Sequence, residues 1–254
     1  MGLFDKKFCS VCGVKIGLLG NRKLSDGNLC KDCAAKLSPW FSERRQSTVE
    51  EIKEQLAYRE ANREELASFH VTRSYGDGMK LLLDEDARKL VVTRARDLTE
   101  ANPDVIDYAQ VTGVDLDINE SHSEVKTKDR EGKPISFNPP RYTFSYSFYI
   151  ILRVNHPYFD TIRFQLNPSS VVLNPDTPAP MVRKPSPLIS REYKEYEAMG
   201  KEIQKALTEA RQVVRQEAAA AAAPKKAKTC PWCGATSIPD ANGCCEYCGG
   251  SLDA

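Results

Sequence analysis

Eight of the nine cysteines fall into four C-x-x-C pairs: Cys9/Cys12, Cys30/Cys33, Cys230/Cys233 and Cys245/Cys248. Their spacing reads C-x2-C-x17-C-x2-C near one end and C-x2-C-x11-C-x2-C near the other. This is the arithmetic of zinc binding. Two cysteines three positions apart reach one metal if the turn tightens, and two such turns complete a tetrahedron of thiolates. Gly tolerates the positive φ that the turn demands, and Gly13, Gly234 and Gly249 follow three of the pairs. Cys33 is followed instead by Ala34-Ala35-Lys36-Leu37, which predicts that this pair starts a helix. Two zinc ions per chain are expected. Four thiolates leave no open position for water, so both sites read as structural. Cys244 remains as the extra thiol. Cys245 is the expected ligand, because Cys245 and Cys248 keep the pair-plus-glycine spacing.

Other chemistry is sparse. His70, His122 and His156 are scattered, and Ser121-His122-Ser123-Glu124 gathers catalytic residue types only as neighbours in sequence. No G-x-S-x-G, P-loop or G-x-G-x-x-G pattern occurs. No enzyme is expected. The chain has 254 residues and a formal net charge of +1, which removes the global basic signature of a dedicated nucleic-acid binder. Charge is uneven, however. Residues 1–45 hold nine Lys/Arg against four Asp/Glu. Lys15, Arg22, Lys23, Arg44 and Arg45 are therefore the candidates for contact with nucleic acid or anionic lipid. Trp40-Phe41 beside them reads as packing for a small module, with base stacking as the alternative.

The elements that position these residues follow from periodicity. The first module (1–45) reads as knuckle, hairpin through Val14–Ile16 and Asn28–Leu29, knuckle and short helix. Ser47-Thr48-Val49-Glu50 is a capping-box pattern, which opens a helix within 46–67 carrying Val49, Ile52, Leu56 and Leu66 on one face. Over 68–175 the period changes to two, and six to eight antiparallel strands are expected. They include the Met79–Leu83 and Lys89–Thr93 hairpin and the long alternating run from Tyr142 to Val154. The segment Glu124–Asn138 reads as a polar loop between strands. A proline-rich linker (176–189), a long helix (190–223) bearing Tyr193, Tyr196, Ile203 and Leu207, and a second zinc module (224–254) complete the chain. The fold class is α+β, with an antiparallel β-rich centre between two four-cysteine zinc modules and two long helices.

The segment FCSVCGVKIGLLGNRKLSDGNLCKDCAAKLSPWFSERR resembles the N-terminal zinc module of a bacterial family of uncharacterised proteins, in which a helix and a β-rich domain follow. The resemblance implies zinc, this fold order and a bacterial cytoplasmic setting, and no reaction. CPWCGATSIPDANGCCEYCGGSLDA looks like a short zinc ribbon. The strand order from Met79 to Leu116 is similar to small bacterial pleckstrin-homology-like domains, with the helix after Ser190 as their capping helix. No apolar run approaches the roughly 18 residues of a membrane span, and no signal peptide is seen. Met1-Gly2 is not followed by Ser or Thr at position 6, where Lys6 stands, so myristoylation is not expected. The function expected is a non-enzymatic, cytoplasmic zinc-binding adaptor. Its partner is a protein, a membrane-associated assembly or, in the alternative, nucleic acid. A redox or zinc sensor working through Cys244 is a third reading.

Overall fold

The computed structural model describes residues 6–173, 184–222, 227–240 and 243–252. The chain forms two compact units, one up to Arg211 and one from Gln212 onward.

The first unit opens with two small hairpins. Strand β1 (Lys7–Phe8) pairs with β2 (Lys15–Ile16), and β3 (Arg22–Lys23) pairs with β4 (Asn28–Leu29). The single hairpin expected from Val14–Ile16 to Asn28–Leu29 is therefore two. The first Cys pair sits inside a hairpin of its own, so Val14–Ile16 turns back on the residues before Cys9. Helix α1 (Lys31–Ala35) begins at the second pair, as expected, with Cys30 as its N-cap.

Helix α2 (Val49–Ala67) starts one residue later than the sequence pattern suggests. Thr48, not Ser47, is the N-cap; its hydroxyl accepts the Glu51 amide and the Glu51 carboxylate accepts the Thr48 amide. Asp26 accepts the Val49 amide at 2.8 Å, which binds the zinc module to the helix start. The approach is tight enough that a Cβ at Gly27 would come within 2.5 Å of Val49 Cγ2.

The buried stripe of α2 is Ile52, Gln55, Arg59, Asn62 and Leu66. Three of these five are polar. Val49 and Leu56 are only partly buried, so the buried face coincides only in part with the apolar face expected. The polar stripe meets the loop after α3 (Leu98–Ala101). Arg59 forms an ion pair with Asp104 at 2.7 Å, both groups buried, and also donates to the Asn102 carbonyl. The Asn62 amide donates to Asn102 Oδ1 and to the Pro103 carbonyl, while its Oδ1 accepts the Val105 amide, each at 2.8 Å. Asp104 also accepts the hydroxyls of Ser38 at 2.8 Å and Tyr58 at 3.4 Å. One carboxylate thus joins the zinc module, α2 and the β region.

The β region holds eight strands in two antiparallel sheets. The first is the meander β5 (Arg73–Tyr75), β6 (Lys80–Asp84), β7 (Lys89–Thr93) and β8 (Val105–Asp107). Leu82, Val91 and Val105 on one face pack with Leu66 at the end of α2. Leu81, Leu83, Leu90, Val92 and Ile106, of the opposite parity, are buried as well. The second sheet is built on β9 (Val111–Lys128) and β10 (Pro134–His156), with β11 (Phe159–Gln165) and β12 (Val171–Leu173) pairing successive stretches of β10. Its buried face carries Tyr146, Phe148, Ile150, Leu152, Ile162 and Phe164.

The polar loop expected over Glu124–Asn138 is instead the end of a long two-stranded arm. Lys126, Thr127 and Lys128 pair with Ser136, Ile135 and Pro134, and only the residues between Lys128 and Pro134 turn. Both faces of this arm meet water, so hydrophobic alternation is weak where pairing is strong.

Residues 174–183, including Pro178 and Pro180 of the expected linker, lie outside the described residues, as do Ala223, Lys225 and Lys226. The linker's last prolines lead into a 3-10 turn at Pro187–Ile189. Helix α4 (Arg191–Ala222) then lays Tyr193, Tyr196, Ile203 and Leu207 inward. Tyr193 and Tyr196 pack on Phe148, with ring centroids 5.0 and 5.8 Å away. A Cβ at Gly200 would lie 2.5 Å from Leu116 Cδ1, so glycine lets the helix backbone approach the sheet. In the second unit β13 (Lys228–Thr229) pairs with β14 (Thr236–Ser237) around the third Cys pair.

Candidate metal centres

Three of the four Cys pairs adopt one and the same backbone turn. Gly13, Gly234 and Gly249 have φ of +73°, +74° and +70°. Their amides donate to the carbonyls of Cys9, Cys230 and Cys245 at 2.8, 2.9 and 2.8 Å. The amides of those three cysteines donate onward to Val14, Ala235 and Gly250, closing each knuckle. A side chain at the glycine would strain this turn. The fourth pair uses the first turn of α1, where the Cys33 amide donates to Cys30 Sγ at 3.4 Å.

These turns bring the sulfurs together. Cys9, Cys12, Cys30 and Cys33 form one cluster and Cys230, Cys233, Cys245 and Cys248 another, all ligand atoms in each within 4.8 Å of one another. Sγ–Sγ separations are 3.7 Å for Cys12–Cys30, 3.5 Å for Cys230–Cys248 and 3.7 Å for Cys233–Cys245. A zinc tetrahedron with bonds near 2.3 Å has an edge of about 3.8 Å. No disulfide joins any of the nine cysteines. The donor set therefore fits one zinc ion per cluster, two per chain. Each set of four thiolates fills its metal's coordination sphere.

Electrostatics within the clusters points the same way. Burial opposes ionisation of Cys9, yet donated amides, chiefly those of Cys12, Cys30 and Val11, bring its thiol down to about 6. The Ser237 hydroxyl, 3.5 Å from Cys245 Sγ, and the amides of Tyr247 and Cys248 bring Cys245 down to about 6. Burial and the neighbouring sulfurs push Cys33 up. At Cys248 the Gly250 amide favours the thiolate, but the contacts with Cys233 and Cys230 outweigh it and push the thiol up to about 12. One sulfur in each cluster ionises readily and another resists. A divalent cation removes that conflict by neutralising all four.

Cys244 stands outside the second cluster. Its amide donates to Asp240 Oδ1 at 2.8 Å, and its backbone pairs with Ser251. The choice of Cys245 as ligand agrees with this geometry.

Of the five basic candidates, four come together. Arg22, Lys23, Arg44 and Arg45 line one cleft of about 730 Å³ with Asn21, Leu24 and Ser25. Lys15 does not line it; it lies in β2, opposite Phe8. Phe41 packs against the zinc-module core and meets the Tyr158 ring edge-on at 6.5 Å. Phe41 thus serves as the packing expected of the Trp40-Phe41 pair, while Trp40 beside it is half-buried.

Two features carry little signal in the sequence. One is the Asp104 centre, to which His156 adds a hydrogen bond with the Tyr58 hydroxyl at 3.1 Å. The other is the turn Gly17–Gly20, whose Leu18 and Leu19 are 88% and 83% exposed. A Leu-Leu pair between glycines is its only mark in the sequence.

Residues 7–55 match a family model described as Domain of unknown function (DUF4428). The matched segment holds the first four-cysteine cluster, the basic cleft and the start of α2, about a fifth of the chain. No curated protein and no solved structure matches the chain.

Proposed function

We propose that this protein is a non-enzymatic adaptor in which two zinc ions hold small recognition modules at either side of a β-rich domain in the sequence. The observation that carries the reading is the closed donor set of both clusters: every sulfur is spent on the tetrahedron, and none is left to present a substrate to the metal. The largest buried polar group, around Asp104, is likewise occupied by Ser38, Tyr58 and Arg59 in joining elements of the fold. The likeness of the centre to pleckstrin-homology-like domains belongs to this reading. It is supported by the element order, a meander, a second antiparallel sheet and then a helix packed on that sheet. A cytoplasmic setting is supported by the use of cysteines for metal rather than for disulfides, and the bacterial part of the reading rests on the resemblance of the first module alone.

The test is affinity capture from the native cell with the zinc-loaded chain and with Cys12→Ser and Cys233→Ser variants. The reading expects a partner enriched by the intact chain and lost when one module is opened. Equal capture by all three chains contradicts it. An anionic partner is favoured at the first module by the four basic residues of the cleft.

A further inference from the structure

Leu18 and Leu19 occupy the two central positions of a turn closed by the Gly20 amide on the Gly17 carbonyl at 3.0 Å. Such positions ordinarily hold Gly, Asn, Asp, Ser or Pro. The module has no structural use for leucine there. Its core is made of Ile16, Leu24, Leu29 and Leu37 with Ile52 of α2. The hairpin that leads into the turn exposes two more apolar side chains, Phe8 at 54% and Val14 at 56%. A concentration of exposed apolar side chains on a small module held rigid by metal marks an interaction surface.

The chain leaving the turn enters the basic cleft at once. Arg22 Nη1 reaches back to the Leu19 carbonyl at 3.4 Å, and Arg44 Nη1 donates to the Lys23 carbonyl at 2.8 Å. Among the described residues, none of Arg22, Lys23, Arg44 and Arg45 forms an ion pair, and no carboxylate lines the cleft. Partial burial and the adjoining charges of Arg45 and Arg22 press down on the proton affinity of Arg44. The cleft therefore favours an anion, and guanidinium groups match phosphate oxygens.

Nucleic acid supplies phosphate, but its aliphatic contacts are wedges driven between the base steps of a bent duplex from its minor groove, not a pair of leucines beside a phosphate cleft. Single strands call for aromatic stacking platforms, but Phe41 is committed to packing, Trp40 is half-buried, and neither lines the cleft. A bilayer uses both features. Leucine enters the boundary between headgroups and acyl chains, while Lys and Arg meet anionic headgroups, and two such signals together give stable binding where one does not.

We propose that the first zinc module docks on an anionic bilayer, with Leu18 and Leu19 inserted and lipid phosphates held by Arg22, Lys23, Arg44 and Arg45. This deepens the adaptor reading by naming what one of its surfaces meets.

The test is co-sedimentation of the zinc-loaded full chain with vesicles of phosphatidylcholine alone or mixed with phosphatidylserine. Zinc content and circular dichroism are measured on every variant, and a fluorescent oligonucleotide is titrated in parallel. Binding to the phosphatidylserine vesicles is expected, weakening with salt, with little binding to phosphatidylcholine alone. Leu18→Ser/Leu19→Ser weakens it about tenfold or more at unchanged zinc content. Arg22→Gln/Arg45→Gln weakens it by a similar factor. Vesicle binding unaffected by the leucine substitutions overturns the insertion. Arginine-dependent oligonucleotide binding without vesicle binding assigns the cleft to nucleic acid and overturns the proposal. Either result with two zinc ions retained leaves the adaptor reading standing, whereas equal capture of partners by the intact chain and by both cysteine variants would remove that reading and not this one.

Discussion

The two zinc modules share a knuckle and differ in what surrounds it. Around the first cluster Ile16, Leu24, Leu29 and Leu37 are buried, and Ile52 of α2 closes the core from the side. Around the second, among the described residues, Leu252 is the one apolar side chain that joins Cys230 and Cys245 in the buried group. Trp232 and Tyr247 in its knuckles are 74% and 71% exposed. The same metal chemistry thus supports a module knitted into a larger unit and a module that has little but metal. Below roughly 40 residues a domain usually needs such a staple. The comparison shows how far a few buried leucines change what the staple must do.

Opening the shells should give the largest effects. Cys233→Ser should abolish structure in the second module, since zinc binding of roughly 10–16 kcal/mol is nearly all its folding energy. Amide exchange over residues 228–252 is then expected at unprotected rates, with the first unit unchanged. Cys12→Ser should release the metal and loosen the first module. The β region should keep its near-UV signal, because Phe148, Tyr193 and Tyr196 take their ring packing from one another, in the second sheet and α4. Loss of that signal would make module and β region one cooperative unit.

The next effect is at the Asp104 joint of the first module. Asp104→Ala leaves Arg59 buried without its partner, which should cost about 3–5 kcal/mol and lower the melting temperature of the first unit. Calorimetry of the zinc-loaded chain measures it. An apolar pair, Arg59→Met with Asp104→Leu, should recover part of the loss.

A smaller difference sharpens the comparison inside the cores. Leu29 is fully buried, and Leu29→Ala should cost about 2–5 kcal/mol and weaken zinc retention at the first site. Leu252→Ala should cost less, because its surroundings can collapse around it. Chelator competition on the two variants reads both. Equal costs would mean that the second core is larger than it looks.

The smallest effect is a pH dependence at the joint. Burial lowers the His156 pKa below its ordinary value of 6.5, the field of Asp104 opposing. The neutral ring is the one the fold favours. Its contribution is fully present above 6.5 and is lost as pH falls through the lowered value. An NMR titration should show His156 protonating below pH 6.5. An upward shift instead would make the imidazolium the native partner of Tyr58 and Asp104.

What the sequence discloses follows from how local each cause is. The ligand sets and the glycine turns are confined to a few adjacent residues, so Gly13, Gly234 and Gly249 are legible beside their cysteines. The buried stripe of α2 is not. Gln55, Arg59 and Asn62 look like solvent-facing residues until Asn102, Pro103 and Asp104, some forty positions away, supply partners for Arg59 and Asn62. The β9–β10 arm is hidden for a related reason. Its register is set by backbone pairing far from any core, and exposed strands carry no apolar alternation. The basic cleft lies between these cases: its residues stand out as a charge imbalance, but only the β3–β4 hairpin and the chain before α2 select four of the five.

The central claim is that two closed tetrathiolate sites hold the two small modules folded, with Cys245 and not Cys244 completing the second. Native mass spectrometry with thiol counting tests it on the intact chain, Cys244→Ser and Cys245→Ser, all purified without oxygen. Two zinc ions and one thiol outside the metal shells are expected for the intact chain, two zinc ions for Cys244→Ser, and one tightly held zinc ion for Cys245→Ser. Fewer than two zinc ions in the intact chain, or loss of one in Cys244→Ser with both kept in Cys245→Ser, would contradict it.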